Sequence, residues 1–207
     1  GLDSRIGSKF LDSGPGFGGS CFKKDILNLV YLCRSNNLHQ VADYWQNVVE
    51  INEWQKKRIY KKVVSNLFGN VAGKKIVILG FAFKANTNDT RESPAIQIVK
   101  DLLQENSEII ISDPKVSNNQ VFIDVLGDEN QSQEKISMEK DLYKASFGAD
   151  AIIVLTEWEE YKYLDWRKIS ENMNQPAWVF DTRDIVNKKE ICSTSLNFWQ
   201  LGDGFSN

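Results

Sequence analysis

The segment that decides the fold is Lys75–Gly80, with the sequence Lys-Ile-Val-Ile-Leu-Gly. It is a short apolar run that ends in a glycine, which is typical of a buried strand in a parallel sheet. Downstream, Ser93–Glu105 has helical apolar spacing with Ser-Pro at its start, and Glu108–Asp113 is again strand-like. The order strand, helix, strand predicts a βαβ unit.

The same alternation continues towards the C-terminus. Ala151–Thr156 and Trp178–Asp181 are further candidates for buried strands, with helical stretches around Met138–Phe147 and Asp165–Met173. The polar segment Asp124–Lys140 is predicted to be a solvated loop. Together these elements predict an α/β fold with a doubly wound, Rossmann-like parallel sheet that binds ligands at the C-terminal ends of its strands.

Upstream of the sheet the pattern is helical. From Cys21 to about Phe68 the apolar residues recur at helical spacing, with a break at Ser35–Asn37, so two helices are predicted. The second would run for roughly eight turns, about 45 Å at 1.5 Å per residue. We therefore predict a long central helix before the sheet, with one region spanning residues 1–70 and another spanning residues 71–207.

Length and composition favour a globular protein. The chain has 207 residues, 42% of them hydrophobic, which is enough for a substantial core. A net charge of −3 and an isoelectric point near 5.3 argue against general binding of nucleic acid or anionic membranes. Because no run of about 18 apolar residues and no signal peptide is evident, we expect a cytoplasmic protein with no membrane partner.

The cysteine pattern argues against disulfides and zinc. Cys21, Cys33 and Cys192 form no C-x-x-C pair, and His39 is the only histidine. One cysteine stays unpaired under any disulfide scheme, and the ligands for a structural zinc site are too few. We therefore expect reduced thiols and no metal.

A second informative segment is Gly14–Asp25, Gly-Pro-Gly-Phe-Gly-Gly-Ser-Cys-Phe-Lys-Lys-Asp. Its glycines let backbone N–H groups approach a ligand closely, and the apolar spacing that follows predicts a helix beginning near Ser20. Cys21 would lie in the first turn, where the helix dipole and the two following lysines favour thiolate over thiol. Asp25, one turn further on the same face, could position water or accept a proton beside the sulfur.

Two other interpretations of this segment were weighed against a nucleophile. A single cysteine near a helix start is more often a small buried hydrophobic residue, and the residues alone leave that alternative open. Gly14, Gly16 and Gly19 also match the G-x-G-x-x-G pattern of a dinucleotide-binding loop. That motif requires a preceding strand, and Lys9–Ser13 makes a poor one, so we discount it.

Several motifs follow one another in a fixed order along the chain. They are Arg5-Ile6-Gly7, Lys9-Phe10, the glycine and cysteine core at 16–22, Lys24-Asp25, Leu27–Tyr31, Leu79–Lys84, Asn88–Pro94, Asp113-Pro114-Lys115 and Phe180–Arg183. This ordered set resembles the nucleotide-sugar 6-dehydrogenase family, and the resemblance covers the chain from Arg5 to about Arg183.

The resemblance implies an NAD-dependent enzyme that oxidises C6 of a sugar twice, from alcohol to carboxylate. Cys21 would attack the intermediate aldehyde to give a thiohemiacetal, a second oxidation would give a thioester, and water would release the acid. Asp25 is expected to order that water. Cys21, Lys24 and Arg91 are expected to contact the NAD cofactor.

The resemblance also implies which residues contact the sugar nucleotide. They are Arg5, Gly14, Gly16, Phe17, Gly18, Phe83, Lys84 and Arg183. Of these, Arg5 is expected to reach a sugar bound in a neighbouring subunit. Phe83 and Lys84 follow the first predicted strand and Arg183 follows the last, so an aromatic face and two cations could converge on a uracil and a diphosphate. A solvated loop charge is the alternative for Lys84 and Arg91.

Departures from the family pattern bear on the substrate. Many bacterial relatives have Tyr before Gly-Gly-Ser-Cys and Pro at the position of Lys23, whereas relatives that act on UDP-N-acetylmannosamine carry His at the position of Ser20. The resemblance therefore favours UDP-glucose, oxidised to UDP-glucuronate, with another nucleotide sugar as the alternative.

The resemblance assigns a task to each region. Residues 1–70 would form the catalytic-cysteine loop and a helical linker, and residues 71–207 the Rossmann-like UDP-sugar-binding domain. Because the chain begins inside a family-like segment, we expect an N-terminal NAD-binding domain to precede it in the natural protein. We also expect a homo-oligomer formed through the long central helix. Alternatively, this chain alone is a non-catalytic nucleotide-sugar-binding and dimerisation module.

Overall fold

A parallel sheet organises the C-terminal two thirds of the chain. The computed structural model describes residues 2–127 and 134–204, and the sheet contains six strands within them. The strands are β1 (Lys75–Leu79), β2 (Glu108–Ser112), β3 (Ile136–Met138), β4 (Ala151–Val154), β5 (Trp178–Asp181) and β6 (Asn197–Gln200). Their order is β3-β2-β1-β4-β5-β6, and every neighbouring pair is parallel. This is the doubly wound order, so the predicted fold class is confirmed.

Helices precede the sheet and connect its strands. They are α1 (Phe22–Ser35), α2 (His39–Asn66), α3 (Pro94–Gln104), α4 (Asn118–Leu126), α5 (Leu142–Ala145), α6 (Trp166–Asn172) and α7 (Lys188–Ile191), with 3₁₀ helices at Ser8–Leu11 and Glu159–Tyr163. The predicted long central helix is confirmed as α2, whose 28 residues span about 42 Å at 1.5 Å per residue. In the described part of the chain, no helix is long and apolar enough to cross a membrane.

The turn between α1 and α2 has a local cause. Asn37 adopts a left-handed conformation with φ of 59°, which asparagine tolerates better than most residues. The Leu38 N–H then donates to the Cys33 carbonyl at 2.9 Å and closes the end of α1. The predicted break at Ser35–Asn37 is therefore confirmed.

Helix α2 is shared between two hydrophobic clusters. Its C-terminal half contributes Ile59 and Val63 to the core of the sheet, and the residue after its end, Leu67, joins them; all three are less than 2% exposed. Its N-terminal half packs with α1 in a smaller cluster around Ala42 and Val49. The predicted division near residue 70 stays a prediction, but α2 ties the N-terminal segment to the sheet.

Some elements differ from the prediction. Strands β3 and β6 were missed, so β5 is not the last strand of the sheet. The segment Asp124–Lys140, predicted as a loop, contains the end of α4 and all of β3, while its residues 128–133 lie outside the described residues. Of the predicted helical stretch Met138–Phe147, only Leu142–Ala145 is helical.

Candidate active site

The glycine-rich segment lies as an irregular loop before α1. The residues before it form a 3₁₀ helix at Ser8–Leu11 and not a strand, so the segment lacks the strand that a dinucleotide fingerprint requires. Two side chains of α2 hold it. Asn52 accepts the Phe17 N–H at 2.8 Å and donates to the Phe17 carbonyl at 3.1 Å. Gln55 donates to the Gly14 carbonyl at 3.2 Å.

The other side of the loop packs against the segment that follows β1. The Gly19 N–H donates to the Arg91 carbonyl at 2.8 Å. A Cβ on Gly18 would lie 2.6 Å from the Glu92 carbonyl oxygen and 2.9 Å from Cβ of Phe83, so only glycine fits there without movement. The contact brings two distant motifs of the sequence into one site.

Cys21 occupies the N-cap position of α1, immediately before the first helical turn, and not a place inside that turn as predicted. Its thiol is free and its side chain is exposed, which removes the alternative of a buried structural cysteine. The Ser20 Oγ lies 3.7 Å from its sulfur, and the Asp25 N–H donates to its carbonyl at 2.8 Å. The helix therefore carries Cys21 and Asp25 one turn apart beside solvent.

The cations around Cys21 have different partners. Lys23 is engaged by Glu92 at 2.8 Å and Glu53 at 3.6 Å, and its hydrogen bond to Glu92 raises its pKa. Lys24 is exposed and extends from the first turn. Lys23 is one of the two lysines expected to favour the thiolate. Its ammonium group pairs with two carboxylates instead.

Arg91 lies within electrostatic reach of Cys21. Its guanidinium forms two hydrogen bonds to Asp89, at 2.9 and 2.7 Å, and these raise its pKa, with a smaller contribution from the charge of Cys21. The same bonds lower the pKa of the Asp89 carboxyl. The two hydrogen bonds to Asp89 orient the guanidinium. Because the Arg91 side chain is 69% exposed, it is still available to a ligand.

Arg183 sits at the C-terminal ends of three neighbouring strands, β1, β4 and β5. Its side chain is 14% exposed, and burial lowers its pKa while the Glu157 carboxylate, 3.2 Å from Nε, opposes that effect. Nε also donates to the Leu155 carbonyl at 2.9 Å, and the guanidinium donates to the Phe83 carbonyl at 3.3 Å. These contacts fix the guanidinium beside Gly14.

Two buried aspartates shape the turns beside this site. Asp113 accepts the N–H groups of Phe81 and Ala82 at 2.7 and 3.1 Å, and thereby sets the backbone after β1. Asp181 accepts the Arg183 N–H at 2.8 Å, and burial raises its pKa. The strand-end residues are therefore held by carboxylates that belong to the sheet.

Two connected clefts open where the loop, α2 and the strand ends meet. The first has a volume of about 480 Å³ and includes Gly14, Gly16, Phe17, Asn52 and Arg183 in its lining. The second, of about 850 Å³, shares Gly14 and Gln55 with it and continues along α2 past three cations, Arg58, Lys61 and Lys62.

Two further predicted residues, Lys84 and Arg5, differ in their distance from this site. The Lys84 Nζ lies 5.3 Å from the Phe83 ring centre and is exposed beside it. Arg5 pairs with Asp3 at 2.6 Å, is 88% exposed, and lies outside both clefts in the described part of the chain. The structure thus brings the glycine loop with Phe83, Lys84, Arg91 and Arg183 to one end of the sheet, while Lys24 and Asp25 extend from the first turn of α1 and Arg5 lies apart.

Sequence reasoning missed four residues of this site: Glu92, Asn52, Gln55 and Glu157. The only available signal was a pair of polar residues, Asn52 and Gln55, one turn apart within the long helix. Among the described residues, no group of three or more His, Cys, Asp or Glu side chains could hold a metal ion.

Family models match both parts of the chain. The model for the UDP binding domain of the UDP-glucose/GDP-mannose dehydrogenase family matches residues 77–188, and the model for the central domain of that family matches residues 1–54. The first match alone covers more than half of the chain.

Individual relatives agree with these matches. The chain is 48% identical over 204 residues to a UDP-glucose 6-dehydrogenase of Caenorhabditis elegans, which covers 98% of this chain and 42% of the relative. A UDP-glucose 6-dehydrogenase 4 of Arabidopsis thaliana is 45% identical over 215 residues, covering 98% of this chain and 45% of the relative. The chain thus spans less than half the length of these curated relatives.

A solved structure shares the fold. A UDP-glucose dehydrogenase from the archaeon Pyrobaculum islandicum superposes with a TM-score of 0.73 at 28% identity, covering 97% of this chain and 41% of that one. The similarity extends over both the helical segment and the sheet.

Proposed function

Because this chain belongs to the UDP-glucose/GDP-mannose dehydrogenase family, we propose that it is part of an NAD-dependent enzyme that oxidises UDP-glucose to UDP-glucuronate. The observation that carries the proposal is the junction of two loops. The loop that presents the exposed Cys21 packs through Gly18 onto Phe83, at the strand ends where doubly wound sheets bind nucleotides.

In this proposal Cys21 is the nucleophile. Its thiolate adds to the C6 aldehyde to form a thiohemiacetal, and loss of a hydride from C6 converts that adduct into a thioester. Water then attacks the thioester carbon, so the acid leaves and the thiol is restored. Cys21 is exposed at the N-terminus of α1 with the cation Arg91 nearby, an environment that is typical of nucleophilic cysteines.

Asp25 is proposed to order the hydrolytic water. Its position one turn after Cys21 places the carboxylate on the same face of α1, where it can accept a proton from water as the thioester is cleaved. The side chain is exposed, so water has free access to it.

The residues around Cys21 suit the acidic parts of a nicotinamide dinucleotide. Arg91 is oriented by Asp89 yet 69% exposed, and Lys24 is exposed in the first turn of α1. We assign Arg91 to the cofactor phosphates and Lys24 and Cys21 to the nicotinamide side. When bound, NAD supplies the oxidant that accepts a hydride from C6 in each of the two oxidations.

The substrate groups are proposed to occupy the strand ends and the glycine loop. Gly14, Gly16, Phe17 and Gly18 would line the glucose, while Phe83, Lys84 and Arg183 would hold the UDP part. The fixed guanidinium of Arg183 and the exposed ammonium of Lys84 offer two cations to a diphosphate.

The proposal also includes a homo-oligomer and a cytoplasmic location. Arg5 lies outside the clefts of its own chain, which supports its assignment to a sugar bound in a neighbouring subunit. Large side chains on the outer face of the helices, among them Tyr31 and Tyr44, are 69% and 67% exposed and suit a contact between copies through α2. A reducing compartment such as the cytoplasm suits the exposed free thiol, and we assign the protein there.

Substrate identity is tested with the longest natural protein that contains this chain. NADH formation is followed with UDP-glucose, GDP-mannose and UDP-N-acetylmannosamine in parallel. We expect rapid NADH formation with UDP-glucose alone, whereas a preference for another sugar would reassign the substrate. Silence with all three, from folded protein, would favour a non-catalytic nucleotide-sugar-binding module.

A binding module is the second candidate for the chain by itself, because it spans less than half of its relatives. We expect the isolated 207 residues to bind UDP-glucose in a calorimetric titration and to form no NADH. Turnover by the isolated chain would show that it holds a complete active site.

A further inference from the structure

We propose that Asn52 is a positioning residue, which holds the glycine loop in its active shape before any substrate binds. The inference rests on the proposed function, since it concerns the loop that presents Cys21. Asn52 lies in the middle of α2, and in the folded chain its side chain reaches back 35 residues in sequence to Phe17.

The amide of Asn52 is matched to the backbone of one loop residue. It is 5% exposed, its oxygen accepts the Phe17 N–H at 2.8 Å, and its nitrogen donates to the Phe17 carbonyl at 3.1 Å. The amide thus pairs with both the N–H and the C=O of Phe17, as a backbone partner in a β-sheet would. Because a buried amide must keep its hydrogen-bond partners, this pairing restricts the position of the loop on α2. Leucine and ionised aspartate have a similar size, but neither can supply both a donor and an acceptor.

The loop is also shaped to receive this side chain. Gly16 has φ of +126°, and a Cβ built there would lie 2.8 Å from the Asn52 amide oxygen. Any larger residue would be strained and would displace the amide. The close approach of backbone to side chain therefore depends on residues from both elements.

A second point of attachment lies one turn along the helix. Gln55 donates to the Gly14 carbonyl at 3.2 Å, so residues at i and i+3 of α2 hold the loop at two places. The loop itself has no helix or strand hydrogen bonds between Asp12 and Ser20, and a chain segment of this kind loses considerable entropy when it is ordered. Contacts with α2 therefore order the loop when the protein folds. The loop does not have to lose that conformational entropy again when a ligand binds.

The held residue is connected to the nucleophile. The Phe17 ring packs edge-on against Phe22, with ring centres 4.7 Å apart, and Phe22 is the first residue of α1 after Cys21. Release of the Phe17 backbone therefore changes both the lining of the substrate cleft and the place of Cys21 at the start of the helix.

The test compares two asparagines of α2 in the longest natural protein that contains this chain. Asn52→Ala removes both contacts to the loop. Asn47→Ala is the matched control, because Asn47 is exposed and, among the described residues, its side chain donates only to the Asp43 carbonyl within the helix. Two quantities are measured, the KM for UDP-glucose and the alkylation rate of Cys21 by iodoacetamide, located by peptide mass.

We expect Asn52→Ala to raise KM by about tenfold and to change the Cys21 alkylation rate at least about threefold, because the loop is no longer preorganised. Asn47→Ala should leave both within about twofold. If both variants behave alike in folded protein, the proposal is wrong.

Asn52→Asp adds a pH readout that a general packing defect would not give. An ionised carboxylate faces the Phe17 carbonyl without a hydrogen to donate, whereas a protonated carboxyl restores the donor. The ratio of kcat/KM for this variant to that of the unmodified protein should therefore rise as the pH falls. A ratio that is constant with pH would contradict the proposal.

Gln55→Ala is a milder variant that tests the contact of α2 with the same loop if Asn52→Ala does not fold. Gln55→Ala removes one contact to the loop, the hydrogen bond to Gly14, together with a 3.4 Å hydrogen bond that Gln55 accepts from Arg58 within the helix. We expect a two- to fivefold rise in KM, an order-of-magnitude figure for one lost positioning contact. No change in KM would count against the proposal. If the unmodified protein oxidises no nucleotide sugar, the proposed function fails, and the alkylation rates alone still decide whether Asn52 holds the loop.

Discussion

At the residue scale, the proposed role of Cys21 rests on its position at the start of a helix. Free cysteines are usually buried, yet this one is an exposed N-cap with Ser20 Oγ 3.7 Å from its sulfur. Lys23, next but one in sequence, is neutralised by two glutamates, while Arg91 contributes from a distant segment. The local motif predicted a cysteine at a helix start, where the structure has it exposed, whereas the proximity of Arg91 to Cys21 could be found only from the fold.

Cys21→Ser is the first test of the proposed chemistry. Formation of UDP-glucuronate should fall by at least about 10³-fold, because a serine hydroxyl without a dedicated base is a much weaker nucleophile than a thiolate. Product is measured by chromatography, with Cys192→Ser, a second exposed thiol, as control. Steady acid formation by Cys21→Ser would exclude the covalent role.

Asp25→Asn separates acylation from hydrolysis. If the carboxylate orders the hydrolytic water, the thioester should accumulate, and acid-quenched turnover should yield a UDP-sugar mass adduct on the peptide that contains Cys21. Asn28→Asp, on the same helix, serves as a control with an altered side chain of similar size. Normal turnover without any adduct would remove Asp25 from the mechanism.

At the element scale, the candidate active site is a contact between two loops whose close packing requires glycine. Gly18 lies against the Glu92 carbonyl, and Glu92 itself has φ of 56°, so both segments are shaped for this approach. Lys23 adds an ion pair to the same segment at 2.8 Å. An exposed pair of this kind contributes only about 0–1 kcal/mol, so the packing is the main determinant of the geometry.

Gly18→Ala should therefore separate the loops. The new Cβ would lie 2.6 Å from a backbone oxygen, and overpacking of this kind costs about 1–3 kcal/mol of unfolding free energy. Displacement of Cys21 from the strand ends should lower kcat/KM by about 10²-fold.

Gly69→Ala provides a control matched in stability. Gly69 has φ of +73° and no atom within 4 Å of an added Cβ, so alanine there costs about 1 kcal/mol through backbone strain alone. Thermal melting and steady-state kinetics are compared. Equal losses of activity in the two variants would contradict the special role of the loop contact.

Not every strand of the sheet could be predicted from the sequence. Strands β1, β2, β4 and β5 are buried apolar runs and were predicted to within one or two residues. Strand β6, Asn-Phe-Trp-Gln, lies at the sheet edge with polar ends, and β3 has three residues, so neither has a distinctive pattern. The role of Asn52 depends on a contact across 35 residues, which periodicity cannot reveal.

At the scale of the whole molecule, α2 belongs to two cores and leaves a third face uncovered. Ile59 and Val63 enter the sheet core, Ala42 and Val49 pack on α1, and Tyr44 is 67% exposed. An exposed aromatic side chain on a helix with two packed faces suits a contact with a second copy.

Tyr44→Glu should weaken the proposed oligomer, because a carboxylate would be desolvated at the interface. Light scattering coupled to size exclusion measures the mass of the complete natural protein. Phe147→Glu, which changes an equally exposed aromatic residue in the sheet domain, is the control. An unchanged mass for Tyr44→Glu at low micromolar concentration would rule out this face as the interface.

In the proposed mechanism, one active site carries UDP-glucose through two oxidations while Cys21 holds the intermediate. The most direct measurement is the number of NADH molecules formed per molecule of UDP-glucose, with limiting substrate, excess NAD and the longest natural protein that contains this chain. We predict two, with UDP-glucuronate as the only product. One NADH per UDP-glucose, with free aldehyde released, would contradict it.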